Sequence, residues 1–140
     1  IVAARQVNWE ASWRLAALLH DAPEYVIGDL ISPFKTAIGL DYKAFEIRLQ
    51  EAIHERFGLP RRLPDPVARA IKEADRIAAW FEATRLAGFA EAEAEVYFER
   101  PDGLPDTLVV ALNGLAAEPT GRAQDGFLRR FGQLARTGGG

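Results

Sequence analysis

The sequence predicts an all-α fold: one domain over residues 1–140, folded as a compact bundle of roughly five to seven helices. Three observations carry this. Apolar residues recur three and four positions apart in several separate stretches. Glycine and proline punctuate the ends of those stretches. No segment alternates apolar and polar residues strongly enough to require a sheet, and no internal repeat is visible. At 140 residues, of which 49% are hydrophobic and 26% charged, the chain can bury a core of its own.

Ile1 to Arg5 carry no clear signal. From about Trp9 to Leu19, the spacing of Trp9, Trp13, Ala16 and Ala17 and the alanine-rich composition predict a first helix. Pro23 pushes Ala22 away from helical backbone, so this helix is expected to end near Asp21, with His20 and Asp21 on its last turn. Tyr25 to Gly39 is expected to be a loop, turned at Gly28-Asp29 and Ser32-Pro33 and pinned to the core by Ile27, Leu30, Ile31 and Phe34. Asp41 is expected to cap a helix from Tyr42 to Phe57, with Tyr42, Phe45, Leu49, Ile53 and Phe57 as its apolar stripe and Gly58 as its stop.

Leu59 to Pro64 reads as a basic, proline-bounded linker with Arg61-Arg62 in solvent. Asp65-Pro66 starts the next helix, expected to run to Ala87 and close at Gly88. Its apolar face is Val67, Ala70, Ile71, Ala74, Ile77, Ala78 and Phe81. Asp75 lies about 40° around the helix from Ile71 and is expected to face the core side with a partner. Glu91 to Arg100 reads as a short helix, acidic on one face, and Arg100 to Asp106 as a Pro/Gly loop. Thr107 to Leu115 fits a buried helix or a strand. Pro119 to Gly121 break the chain, and Ala123 to Ala135 is amphipathic through Phe127, Leu128, Phe131 and Leu134. Residues 137–140 are expected to form a flexible tail.

Charge and composition narrow the function. A net charge of −3 gives no broad basic surface for duplex nucleic acid. A small anionic substrate needs only a local cation or a metal. Cysteine is absent, which excludes a disulfide framework and thiolate metal ligands; it accords with a reducing compartment, and a cytoplasmic location is expected. No apolar run approaches the ~20 residues of a membrane span, so no membrane partner is expected. Aromatic residues on the later helices suggest a homodimer. The chain contains no Met and begins Ile-Val-Ala-Ala, so a further N-terminal segment is expected.

The chemistry concentrates between Leu18 and Lys35, in the run LLHDAPEYVIGDLISPFK. His20, Asp21, Glu24 and Asp29 crowd an imidazole and three carboxylates into one short segment. Like charges this close repel unless a proton or a cation joins them, and a divalent metal would do so. Side chains adjacent on a helix point about 100° apart, yet two of them converge on one point just beyond a helix end.

The run His20-Asp21, Glu24, Gly28-Asp29 and Ser32-Pro33-Phe34-Lys35 resembles the HD-domain phosphohydrolases, in particular the branch related to bacterial 5'-deoxynucleotidases. The resemblance implies an all-α HD-type fold with His20 and Asp21 as metal ligands. It implies that Asp75, in Ala74-Asp75-Arg76-Ile77-Ala78-Ala79, completes the metal site, and that Glu24 and Asp29 act around the nucleophile. In that family a further histidine on a preceding helix is the first metal ligand. The only histidines here are His20 and His54, so either that ligand lies upstream of Ile1, together with the family's N-terminal phosphate contacts, or the site is degraded; the first is expected.

A ligand set of one imidazole and two carboxylates suits Mn, Co, Fe, Ni or Zn better than Ca or Mg. Such a metal acidifies its water and neutralises phosphate charge. Glu24, one turn beyond Asp21, is placed to accept the water's proton or to brace the loop. Asp29 reads either as orienting the water or sugar or as capping a turn. Lys35 reads as a phosphate-binding point charge or as a solvated lysine. His54 is expected at the surface or half-buried, and Trp80 and Phe81 in the core or an interface. The expected activity is metal-dependent hydrolysis of a (deoxy)nucleoside 5'-monophosphate, a small-molecule nucleotide substrate. The alternatives are hydrolysis of nucleoside triphosphates or guanosine polyphosphates, and a non-catalytic helical module that binds a nucleotide or a partner.

Overall fold

The computed structural model of the protein describes residues 1–28 and 40–137. Among these residues all regular structure is helical. In chain order the helices are α1 (Val2–Arg5), α2 (Ala11–Leu18), α3 (Ala22–Ile27), α4 (Leu40–Arg56), α5 (Asp65–Arg85), α6 (Glu91–Ala94), α7 (Asp106–Asn113) and α8 (Thr120–Thr137). No helix among them is long and apolar enough to cross a membrane. The chain divides into two compact units, one of Ile1–Trp9 with Asp65–Arg130, the other of Glu10–Pro64 with Phe131–Gly140.

The first unit is built on α5. Of its predicted face Val67, Ile71, Ile77 and Phe81 are buried, joined by Trp80 and Ala83, while Ala70, Ala74 and Ala78 are half-buried. Ile77, Trp80, Phe81 and Ala83 pack with Ala94, Leu108 and Leu112 into one cluster, flanked by Ile1, Phe89, Phe98 and Leu104. Trp80 and Phe81 meet edge to face at 4.9 Å, a favourable geometry for two aromatic rings. Asp106–Asn113 is a helix rather than a strand. Leu108 and Leu112 are its buried residues, and four residues apart is helix spacing.

Two elements of this unit differ from expectation. The acidic stretch after Glu91 is helical only through Ala94. The next amides tighten onto nearby carbonyls, Tyr97 N–H and Phe98 N–H both donating to Ala94 (3.0 and 2.8 Å), which turns Phe98 toward the core. Arg100, excluded from helix by Pro101, folds back to pair with Glu91 (3.3 Å) and Glu95 (3.1 Å). At the C-terminal side, α8 starts at Thr120, so Gly121 lies inside a helix expected to begin after it. Pro119 sits just ahead of the first turn and its carbonyl accepts from Arg122 N–H (2.9 Å), a position where proline costs no hydrogen bond.

In the second unit the largest difference is α3. Pro23 starts a helix instead of excluding one. It occupies the first turn of α3, where the missing N–H has no carbonyl to bond in any case. Tyr25 to Ile27 are therefore helical, not loop, and Gly28 closes the helix at φ +80°. Leu30, Ile31 and Phe34, expected to pin the loop, lie outside the described residues, as do residues 138–140 of the expected tail. Helix α4 takes in Asp41, expected as its cap, and stops at Gly58 as predicted. There φ is +71°, and Leu59 N–H reaches back to the His54 carbonyl (2.8 Å).

Candidate functional site

His20 and Asp21 lie just past the end of α2, in the turn that enters α3, rather than on the last helical turn. Leu19 is the C-cap of α2 and Asp21 the N-cap of α3. The turn is closed by Ala22 N–H donating to the Leu19 carbonyl (3.1 Å) and Glu24 N–H donating to the Asp21 carbonyl (3.0 Å). Asp21 makes no side-chain cap hydrogen bond. Its Oδ2 is instead 3.0 Å from Nε2 of His20, and both residues are exposed.

The tautomer of His20 follows from its other nitrogen. Nδ1 lies 2.9 Å from the Ala17 carbonyl. A carbonyl only accepts, so Nδ1 carries the hydrogen and donates. In neutral imidazole Nε2 then presents a lone pair, and that lone pair faces a carboxylate oxygen. Two acceptors at this distance need a proton or a cation shared between them. A histidine whose second nitrogen is held by a backbone carbonyl is the usual arrangement of a metal-ligating imidazole.

Glu24 is half-buried and lines the same cleft as His20 and Asp21, an open space of about 220 Å³ completed by Pro23, Glu46, Ile47 and Gln50. The structure thus brings together His20, Asp21 and Glu24. Asp75 belongs to α5 in the other unit. It is exposed, not turned to the core side. At the margin of the apolar stripe a short carboxylate is not carried into the core, where its charge would be costly. Asp29 and Lys35 lie outside the described residues.

Three residues of α4 were not anticipated in these roles. His54 is buried at 3% exposure, deeper than the expected surface or half-buried position. Its Nδ1 donates to the Arg61 carbonyl (3.1 Å) and its Nε2 lies 2.7 Å from Gln50 Nε2. Glu51 is buried too. Arg62 Nε (2.9 Å) and an Arg61 guanidinium nitrogen (3.0 Å) donate to its two oxygens, so the linker arginines are exposed but paired. Their hydrogen bonds, Arg62 first and Arg61 next, hold the Glu51 carboxyl below its usual range. Gln50 also donates to the Leu19 carbonyl (3.3 Å), next to His20. The signal was present in the sequence: Glu46, Gln50 and His54 stand four apart, a polar stripe along one helix face.

No family model matches the chain. It is similar to an uncharacterized protein of Rhodobacter capsulatus, 49% identical over 125 residues, which cover 89% of this chain and 62% of that protein. It is also similar to the uncharacterized protein YfdR of Escherichia coli, 32% identical over 119 residues, 85% of this chain and 60% of the relative. The chain therefore spans about three fifths of the length of each of these relatives.

Proposed function

We propose that this chain is part of an HD-type, metal-dependent phosphohydrolase acting on a (deoxy)nucleoside 5'-monophosphate. The observation that carries the proposal is the His20–Asp21 contact. The Ala17 carbonyl fixes the imidazole so that Nε2 and Asp21 Oδ2 converge at 3.0 Å, an arrangement that fits a shared cation. Asp75 is the third ligand in this reading, on the strength of the Ala74–Ala79 motif. One imidazole and two carboxylates fit Mn, Co, Fe, Ni or Zn. When bound, such an ion supplies charge neutralisation at a phosphoryl group and a water acidified toward neutrality.

The chain's own residues do the rest. His20 and Asp21 would hold the ion from the turn between α2 and α3. Glu24, on the first turn of α3 and facing the same cleft, accepts the proton of the attacking water. Absence of cysteine accords with a cytoplasmic setting. Val110, Phe127 and Leu128, exposed on α7 and α8, support self-association into a homodimer.

The test is metal content and phosphate release by the full-length protein across nucleoside mono- and triphosphates and guanosine polyphosphates. His20→Ala and Asp75→Ala are expected to lose metal and turnover with helix content retained. Glu24→Gln is expected to keep the metal and lose rate. Full turnover in either ligand variant overturns the assignment.

A further inference from the structure

The Leu19 carbonyl holds the key position in the junction. It belongs to the same planar peptide unit as the His20 amide, so fixing its direction fixes the plane from which His20 departs. It accepts from Ala22 N–H (3.1 Å), which closes the turn. It also accepts from Gln50 Nε2 (3.3 Å), which ties that turn to α4.

The orientation of the Gln50 amide is determined by its neighbours. His54 Nδ1 faces the Arg61 carbonyl and so carries the ring hydrogen. His54 Nε2 is then an acceptor, and the group 2.7 Å away must be the Gln50 NH2. A flipped amide would set its oxygen against that lone pair and against the Leu19 carbonyl. Both amide hydrogens are thereby committed, one to Leu19 and one to His54. A continuous chain of hydrogen bonds runs from the Leu19 carbonyl through Gln50 and His54 to the Arg61 carbonyl. Gln50 Oε1, by contrast, is buried without a hydrogen-bond partner.

That asymmetry argues about purpose. A buried amide with an unused acceptor costs free energy that an apolar side chain of the same length avoids. What the amide supplies, and an apolar chain does not, is direction at the Leu19–His20 peptide. We infer that Gln50 is a positioning residue for the His20–Asp21 pair, aiming the two side chains by anchoring the Leu19 carbonyl to His54. This rests on the reading of His20 and Asp21 as metal ligands.

The experiment titrates Mn2+ and Co2+ into the full-length protein and its Gln50→Met variant, which keeps the length of the side chain and removes both donors. Circular dichroism reports helix content, and the visible absorption of bound Co2+ reports ligand geometry. The expected result is unchanged helix content, affinity weaker on the order of 10- to 100-fold, and an altered Co2+ spectrum, the scale seen when a ligand's supporting hydrogen bonds are lost. Wild-type affinity and an identical Co2+ spectrum in Gln50→Met overturn the inference while leaving the metal site standing. Failure of the wild-type protein to bind either ion overturns the metal reading, and this inference with it. If Gln50→Met does not fold, Gln50→Asn replaces it. Its amide keeps the donors but is too short to reach Leu19 and His54 together, so wild-type binding in that variant is equally fatal.

Discussion

His54→Ala is the sharpest test of the buried polar face of α4. The imidazole is 3% exposed and makes two hydrogen bonds, one from Gln50 and one to the Arg61 carbonyl. Truncation strands a donor on Gln50 and an acceptor on Arg61. A buried polar group left unpaired costs about 1–3 kcal/mol. Arg61 itself is exposed, so water recovers part of its share, and the lost ring contacts add to what remains. The sum is about 2–4 kcal/mol. For a chain of this size, each kcal/mol moves the thermal midpoint by roughly 3–5 °C, so a fall of about 6–20 °C is expected. A thermal melt followed by circular dichroism measures the midpoint and urea unfolding the free energy, with the urea slope checked against wild type so that a separately melting unit is not mistaken for a stability change. His54→Gln, whose amide can donate to one neighbour and accept from the other, is expected to lose about half as much. A midpoint for His54→Ala equivalent to a loss under about 0.5 kcal/mol would refute the reasoning.

Glu51 supplies a pH signature. Its carboxyl is held below the usual range by Arg62 and Arg61, so the unfolded chain takes up the proton more readily than the folded one. The stabilisation is complete above the unfolded carboxyl's pKa and is lost as pH falls through the lower, folded value. Glu51→Gln is therefore expected to flatten the acid side of the stability–pH curve, and an unchanged curve would contradict the clamp. Trp80 Nε1 is buried without a hydrogen-bond partner, so Trp80→Phe is expected to cost under about 1.5 kcal/mol and Trp80→Ala about 3–5 kcal/mol, measured by urea unfolding. Equal losses would mean that the indole N–H matters. Gly58→Ala at φ +71° is expected to cost about 1–2 kcal/mol, and a neutral result in the same assay would show that the α4 terminus relaxes. Paired substitution Phe127→Ser and Leu128→Ser is expected to shift a dimer to monomer in light scattering; a monomeric wild-type protein at micromolar concentration removes that proposal.

The helices were legible where one period ran unbroken. Val67, Ile71, Ile77 and Phe81 marked the buried face of α5 because nothing polar interrupts that stripe until its margin. The margin was the difficulty. Helix geometry put Asp75 near Ile71, but the reach of a carboxylate decides whether the charge enters the core or bends to water, and angle alone does not contain that. Pro23 was ambiguous in a different way. The same residue ends one helix or begins the next, and which occurs depends on whether the following residues can pack. His20, Asp21 and Glu24 were readable because their charges have no cheap explanation in so short a segment. Their neighbours on α4 were not, because the helix period marks a buried face only through its apolar residues. Phe45 and Phe57 of the predicted stripe are exposed, while Glu51 and His54 are inside.

That inversion bears on how the junction is held. An apolar face on α4 would bury as much surface and tolerate sliding, because hydrophobic contact has no direction. A polar face does not slide: Glu51 must meet two guanidinium groups, and His54 must find a carbonyl on one side and an amide on the other. Each bond fixes an angle as well as a distance. The linker carbonyl of Arg61 and the α2 carbonyl of Leu19 are thus referred to the same two residues of one helix. Stability and aim are coupled here, since loosening the linker loosens His54, and through Gln50 the peptide that precedes His20. A substitution at Glu51 is therefore expected to act on the end of α2 without touching it.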